Sequence, residues 1–265
     1  GLSNDQFKLT DSEGNILPAQ RVQSEATVNG QSRLLFVANL PSMGYELFKL
    51  YLNEEEVPQF ENVSVNESQL SNERYTLSIN EETGYVARLY DKQEDLEVLR
   101  REGGRLVVIE DQHDTWAHNV FKFDKQLGDM KMLYRKVLEE GPVRSTIRVK
   151  YQYNESYVIQ DFSMYRELNY IPIKVKVDWR EPCTQLKIKY PVNFNFRKPT
   201  YEIPYGYIEK SANGEEEPGQ SWFDITGEHF KKPVMYGLTI ANDAKYSYNM
   251  DIDEMNLKIS ITDEN

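Results

Sequence analysis

The densest polar cluster in this chain runs Glu110-Asp111-Gln112-His113-Asp114-Thr115-Trp116-Ala117-His118 and holds two of the three histidines. Imidazole and carboxylate are ordinary zinc ligands, so Asp111, His113 and His118 could be imagined around a metal ion. Their spacing is wrong for one helix face and matches no established metal signature, so no metal site is assigned to the chain. Sugar contact is the better functional use. Trp116 offers a stacking face, and Asp111, Asp114 and His118 offer hydrogen-bonding groups. The competing use is structural, a polar loop that Trp116 anchors to the core, and on the residues alone it stands slightly ahead.

A second polar-aromatic segment, Asn242-Asp243-Ala244-Lys245-Tyr246-Ser247-Tyr248, follows the apparent strand Tyr236–Ile240. Asn242, Asp243, Lys245 and Tyr246 are its candidate binding groups. An Asp near a Lys is otherwise a surface pair of small energetic weight, and the two tyrosines could equally be packing. Paired carboxylates can cleave glycosidic bonds, but with 43 Asp and Glu in the chain composition nominates no pair. A G-x-S-x-G elbow, a phosphate-binding loop and a dinucleotide fingerprint are all absent, and Cys183 lacks the context of a nucleophile. No catalytic residue is assigned.

The elements that position these segments read as strands. Ile171, Ile173, Val175, Val177 and Trp179 occupy alternate positions against Lys174, Lys176 and Asp178, a strand with one buried and one wet face. Val143, Ser145, Ile147, Val149 and Tyr151 alternate with Arg144, Arg148 and Lys150. Leu186, Ile188 and Tyr190 alternate with Lys187 and Lys189 on the expected wet face. Such alternation suits antiparallel sheets, because buried parallel strands are apolar throughout. Asn29-Gly30 between Ala26-Thr27-Val28 and Leu34-Leu35-Phe36 predicts a hairpin, and Glu82-Thr83-Gly84 separates two further strands. Lys125 to Leu138 has some helical spacing, interrupted by Gly128. Ser211 to Gly219 reads as a flexible, solvated acidic loop. The predicted class is all-β.

Composition agrees. Tyr 18 and Phe 11 against three Trp favour pleated surfaces, and 39% hydrophobic residues can build a core. A formal charge of -12 repels phosphate backbones and anionic lipid, so neither nucleic acid nor membrane is an expected partner. One cysteine excludes an internal disulfide, and no apolar run approaches the roughly 18 residues of a membrane span. Sequons at Asn62, Asn66 and Asn154 would matter only in a secretory compartment, and a cytoplasmic location is expected. The polar stretch Val57 to Asn72 predicts a small β domain over 1–60, a linker over 61–71 and a large sandwich over 72–265. Both ends read as cut.

Several segments, in order, resemble the C-terminal region of glycoside hydrolase family 38 α-mannosidases. They are Leu17-Pro18-Ala19-Gln20, then Pro41-Ser42-Met43-Gly44-Tyr45, then Asn72-Glu73-Arg74-Tyr75 with Glu82-Thr83-Gly84 and Leu89-Tyr90-Asp91-Lys92. Gly104-Arg105-Leu106 with Asp114-Thr115-Trp116 follows, then Glu202-Ile203-Pro204-Tyr205-Gly206-Tyr207-Ile208-Glu209, and last Tyr236-Gly237-Leu238 with Asn242 to Tyr246. The resemblance implies a galactose-mutarotase-like supersandwich behind the small domain. It implies that the nucleophile and zinc ligands of a retaining α-mannosidase lie in an N-terminal β/α barrel, of which this sequence contains nothing. This region would then pack on that barrel, bind no cofactor itself, and lend Asp111, Asp114, Trp116, His118, Asn242, Asp243, Lys245 and Tyr246 to the edge of the mannoside site. A stand-alone carbohydrate-binding or mutarotase-like protein is the alternative, the latter needing a base among His113, His118 and His229.

Overall fold

The computed structural model of the chain describes residues 7–23, 33–52, 57–113, 118–196, 198–251 and 254–259. Among them the regular structure is β throughout, with no helix. Two compact units divide the chain. The first comprises Gly1–Glu73, Lys136–Arg148 and Asp161–Lys174, and the second Arg74–Arg135, Val149–Gln160 and Val175–Asn265. The predicted hairpin at Asn29-Gly30 and its strand Ala26–Val28 lie outside the described residues.

The first unit opens with β1 (Phe7–Thr10), β2 (Ile16–Leu17), β3 (Ala19–Val22), β4 (Arg33–Phe36) and β5 (Lys49–Leu52). A small sheet has the order β2-β1-β5, and β3 pairs with β4. A hairpin of β6 (Ser64–Asn66) and β7 (Gln69–Ser71) follows, its turn closed by Ser68 N–H donating to Asn66 Oδ1 at 2.9 Å. Gln20 gives the Pro18-Ala19-Gln20 segment a physical role. Its buried carboxamide accepts from the backbone N–H of Val143 (2.8 Å) and Arg144 (2.7 Å) and donates to Arg144 O (3.0 Å). It thus completes backbone hydrogen bonds that would otherwise be orphaned. A side chain at Gly141 would collide with that carboxamide.

The second unit begins with β8 (Tyr75–Ile79), β9 (Val86–Asp91) and β10 (Leu96–Glu97), an antiparallel meander. Gly84 in the first turn has φ +75, and a Cβ there would lie 2.8 Å from Met132 Sδ and Val149 Cγ1, so glycine is required twice over. Next come β11 (Arg105–Glu110) and β12 (Gln126–Asp129), then β13 (Lys131–Glu139), β14 (Arg144–Tyr153), β15 (Ser156–Tyr165) and β16 (Ile173–Asp178). The last four pair in chain order, and each has residues in both units. The helical spacing over Lys125 to Leu138 is therefore overruled, since these residues form β12 and β13. Leu, Lys and Met favour helices by only tenths of a kcal/mol each, and pairing along a sheet outweighs that.

The remaining strands are β17 (Thr184–Pro191), β18 (Phe194–Phe196), β19 (Thr200–Ile203), β20 (Gly206–Glu209), β21 (Glu216–Pro218), β22 (Trp222–His229), β23 (Met235–Ala241), β24 (Ser247–Asp251) and β25 (Glu254–Ile259). One six-stranded sheet has the order β12-β11-β17-β25-β24-β21, and another the order β18-β22-β19-β20 with β23 on β22. Their inner faces share one core, in which Tyr248 and Met250 of the first sheet meet Tyr201, Phe223 and Ile225 of the second. The rings of Phe223 and Tyr248 lie 4.4 Å apart.

The outer face of the six-stranded sheet departs from expectation. Lys187 is not on a wet face, because its side chain is only 2% exposed. Its ammonium donates to Phe123 O (2.7 Å), to Asn249 Oδ1 (3.2 Å) and to the Glu216 carboxylate, with which it forms an ion pair. Phe123 packs with Val107 and Ile109 on the same face. The segment expected to be a solvated acidic loop is thus part of the fold. Glu216 lies in β21, paired to β24, and its N–H donates to Phe121 O at 2.8 Å.

Candidate functional site

Both segments nominated from sequence belong to the second unit, and strand register places them. Glu110, the last residue of β11, pairs with Thr184, the first of β17. Leu186 of β17 pairs with Ile259 near the end of β25, and Tyr248 near the start of β24 pairs with Leu257. The segment after Glu110 and the segment before Ser247 therefore leave the same end of this sheet. β11 and β24 are separated by three strand spacings, about 14 Å.

The Asn242–Tyr246 segment is a well-tied loop. Asn242 Oδ1 accepts from the N–H of Lys245 (2.6 Å) and Ala244 (3.1 Å), the side-chain mimic of a backbone turn. Asn242 Nδ2 donates to the Tyr248 hydroxyl at 2.8 Å, and Asn242 N–H to Ser221 O at 2.7 Å. The Tyr248 hydroxyl in turn lies 2.7 Å from Lys245 O and against Gln220 O. Burial pushes the Tyr248 phenol above its ordinary pKa, partly offset by the bond from Asn242, so it stays a neutral donor. Asn242 is consequently spent on holding the turn. Asp243 and Tyr246 are left exposed, Tyr246 at 61%, and Lys245 partly so.

The Asp111–His118 segment carries fewer described ties. Asp111 N–H donates to Cys183 O at 2.8 Å. Glu110 accepts from Lys125 Nζ (2.7 Å) and Gln112 Nε2 (3.1 Å), which fixes the strand end. His113 stands edge-on to Phe123, centroids 5.9 Å apart, and His118 is exposed. Asp114 and Trp116, with Thr115 and Ala117 between and after them, lie outside the described residues. Next to Cys183, Glu181 accepts from Asn154 Nδ2 (3.0 Å), Ser156 Oγ (3.0 Å) and Glu155 N–H (3.1 Å). Desolvation opposes its charge, but these hydrogen bonds prevail and hold its carboxyl below the usual range.

The second sheet adds residues that sequence reasoning did not nominate. Trp222 pairs with Ala241, the residue before Asn242, and Glu202 pairs with Tyr207. The β19–β20 hairpin tip, where Tyr205 is fully exposed at φ 66, leaves the same end as the Asn242 loop. Their signal was available in the strict alternation of Trp222, Asp224, Thr226 and Glu228 against buried Phe223, Ile225 and His229.

His229 is not placed as an acid or base. Its Nδ1 accepts from Lys231 N–H (3.3 Å) and its Nε2 faces Glu97 O (3.0 Å) and Asn193 Nδ2 (3.1 Å), so both nitrogens are engaged. Among the described residues, no three His, Cys, Asp or Glu side chains gather as a metal site would require.

An antiparallel β protein with polar loops at one end of a two-sheet core is the class that geometry defines. Residues 70–262 match the family described as glycosyl hydrolases family 38 C-terminal domain. The chain is 24% identical over 179 residues to "Alpha-mannosidase G" of Dictyostelium discoideum, covering 63% of this chain and 16% of that protein. Its fold matches the crystal structure of an alpha-mannosidase from Enterococcus faecalis V583 with a TM-score of 0.73 and 11% identity, over 97% of this chain and 34% of that one. The chain belongs to glycosyl hydrolase family 38 and corresponds to its C-terminal domain. It spans only a minor part of the length of either relative.

Proposed function

We propose that this chain is the C-terminal accessory region of a zinc-dependent, retaining α-mannosidase, packing on a catalytic β/α barrel of the same polypeptide and lining the edge of the mannose site. The observation that carries the reading is the family match over 70–262, from a domain that is a small part of longer α-mannosidase relatives. The common sheet end from which the two nominated segments leave supports it. The sandwich is read as galactose-mutarotase-like and the protein as cytoplasmic.

Zinc would be held outside this chain. On this reading the chemical steps belong to the barrel. Its groups would bind sugar hydroxyls, orient the ring and exclude water, and correct positioning alone is a large part of catalysis. The experiment is hydrolysis of an aryl α-mannoside by the isolated chain, by the remainder of its polypeptide, and by both co-expressed. The reading expects turnover only when both parts are present. Turnover by the isolated chain, or full activity of the remainder without it, overturns the proposal.

A further inference from the structure

The outer face of the sheet containing β18, β22, β19, β20 and β23 is built differently from an ordinary solvated face. One row crosses it as Glu209, Thr200, Asp224 and Thr239, with each neighbouring pair in register. The next row holds Tyr207, Glu202, Trp222 and Ala241, ending directly at the Asn242 loop. Beyond lie Thr226 and Gly237, where a Cβ at Gly237 would sit 2.6 Å from Thr226 Oγ1, so the surface there stays low.

Two aromatic rings stand in the row that ends at the Asn242 loop. Tyr207 is 68% exposed, and Trp222 is partly exposed. They are two strand spacings apart, about 10 Å. Neither the Tyr207 hydroxyl nor the Trp222 indole N–H has a partner among the described residues, so both polar tips are unspent. At the adjoining hairpin tip, Tyr205 holds a left-handed backbone at φ 66 while its ring is fully exposed. Such a conformation costs a bulky residue about 1–3 kcal/mol, and an outlier of this kind is a pointer to function.

We infer that this face is a second sugar-binding surface, a platform for a neutral mannose-containing oligosaccharide running out from the Asn242 loop. Tyr207 and Trp222 supply flat rings for the apolar faces of pyranoses, and their unspent tips supply hydrogen-bond donors. Glu202 uses one carboxylate oxygen on Ser221 N–H (2.6 Å) and leaves the other for a sugar hydroxyl. Asp224 is oriented by Thr239 Oγ1 (2.5 Å) and Thr226 Oγ1 (3.1 Å), and it retains acceptor capacity.

The same residues disfavour other occupants. Glu202, Glu209, Asp224 and Glu228 repel anionic chains, and Glu209 already engages Lys198 at 3.8 Å. Glu202 separates the two rings, so they do not join into one apolar patch for a protein partner or lipid to bury. The inference rests on the proposed function for its choice of sugar.

The test is affinity electrophoresis of the 265-residue chain through gels containing neutral α-mannan, phosphorylated mannan or dextran. The inference expects retardation by neutral mannan and not by dextran. Tyr207→Ala and Trp222→Ala should each weaken it roughly threefold to tenfold, the range of one aromatic contact. Thermal melting accompanies each variant. Should Trp222→Ala fail to fold, Tyr207→Ala and Glu202→Gln, both on the open face, decide the question. No retardation, retardation only by phosphorylated mannan, or retardation unchanged in the folded variants overturns the inference. None of these outcomes touches the hydrolysis assay above, so the two readings fail separately.

Discussion

Two sheets of the second unit present outer faces with similar sequence patterns and opposite fates. In β17, polar Gln185, Lys187 and Lys189 alternate with Leu186, Ile188 and Tyr190. In β22, Trp222, Asp224, Thr226 and Glu228 alternate with Phe223, Ile225, Gly227 and His229. The first outer face is covered by the segment carrying Phe123, and the Lys187 ammonium is engaged by three acceptors, one of them Glu216 of the edge strand β21. The second remains open, with unspent aromatic tips and carboxylates. A buried charge demands partners, whereas an exposed one can wait for a ligand. The covered face holds the fold, and the open face is free to bind.

This contrast can be broken at its strongest point first. Lys187→Ala should destabilise the chain by about 3–5 kcal/mol, because Glu216 would stay buried without its counter-charge. Replacing both members, Lys187→Met with Glu216→Leu, should cost far less than the sum of the single changes. Chemical denaturation of the three variants checks this, and a single-variant loss below roughly 1 kcal/mol would mean the face is not truly covered.

A smaller effect is expected at the junction of the sheets. Tyr248→Phe removes the hydroxyl that meets Asn242 Nδ2 and the carbonyls of Lys245 and Gln220, and should cost about 1–2 kcal/mol. Faster amide exchange confined to 242–247 would accompany it. On the open face Asp224→Asn should change stability by less than about 0.5 kcal/mol, as exposed substitutions do. A large loss there would erase the distinction between the faces.

Much of the architecture was legible because it is local. Alternation over Ile171 to Trp179 becomes β16, that over Val143 to Tyr151 becomes β14, and Glu82-Thr83-Gly84 is the turn between β8 and β9. What escaped was set by distant partners. Lys187 looks wet until Phe123 and Glu216, 64 and 29 residues away, are brought over it. Glu216 looks like loop charge until β24 pairs beside it. The helical spacing over Lys125 to Leu138 yielded to sheet pairing for the same reason. At the candidate site, the loop at Asn242 was recognisable from its polar and aromatic residues, but the division of labour within it was not. Asn242 and Tyr248 build the turn, while Asp243, Lys245 and Tyr246 face outward. Trp222 and Tyr207 were visible as residues, yet only register placed them in one row beside that loop.

The central claim is that the Asn242–Tyr246 loop serves the mannose site of a longer α-mannosidase. It is tested most directly by steady-state kinetics of the full-length polypeptide carrying Lys245→Ala and Tyr246→Ala, positions that give the Asn242 turn only backbone groups. The account predicts unchanged thermal stability with kcat/KM for an α-mannoside reduced by roughly tenfold, the equivalent of one or two lost contacts of about 1.4 kcal/mol in all. Unchanged kcat/KM in a stably folded double variant would contradict it.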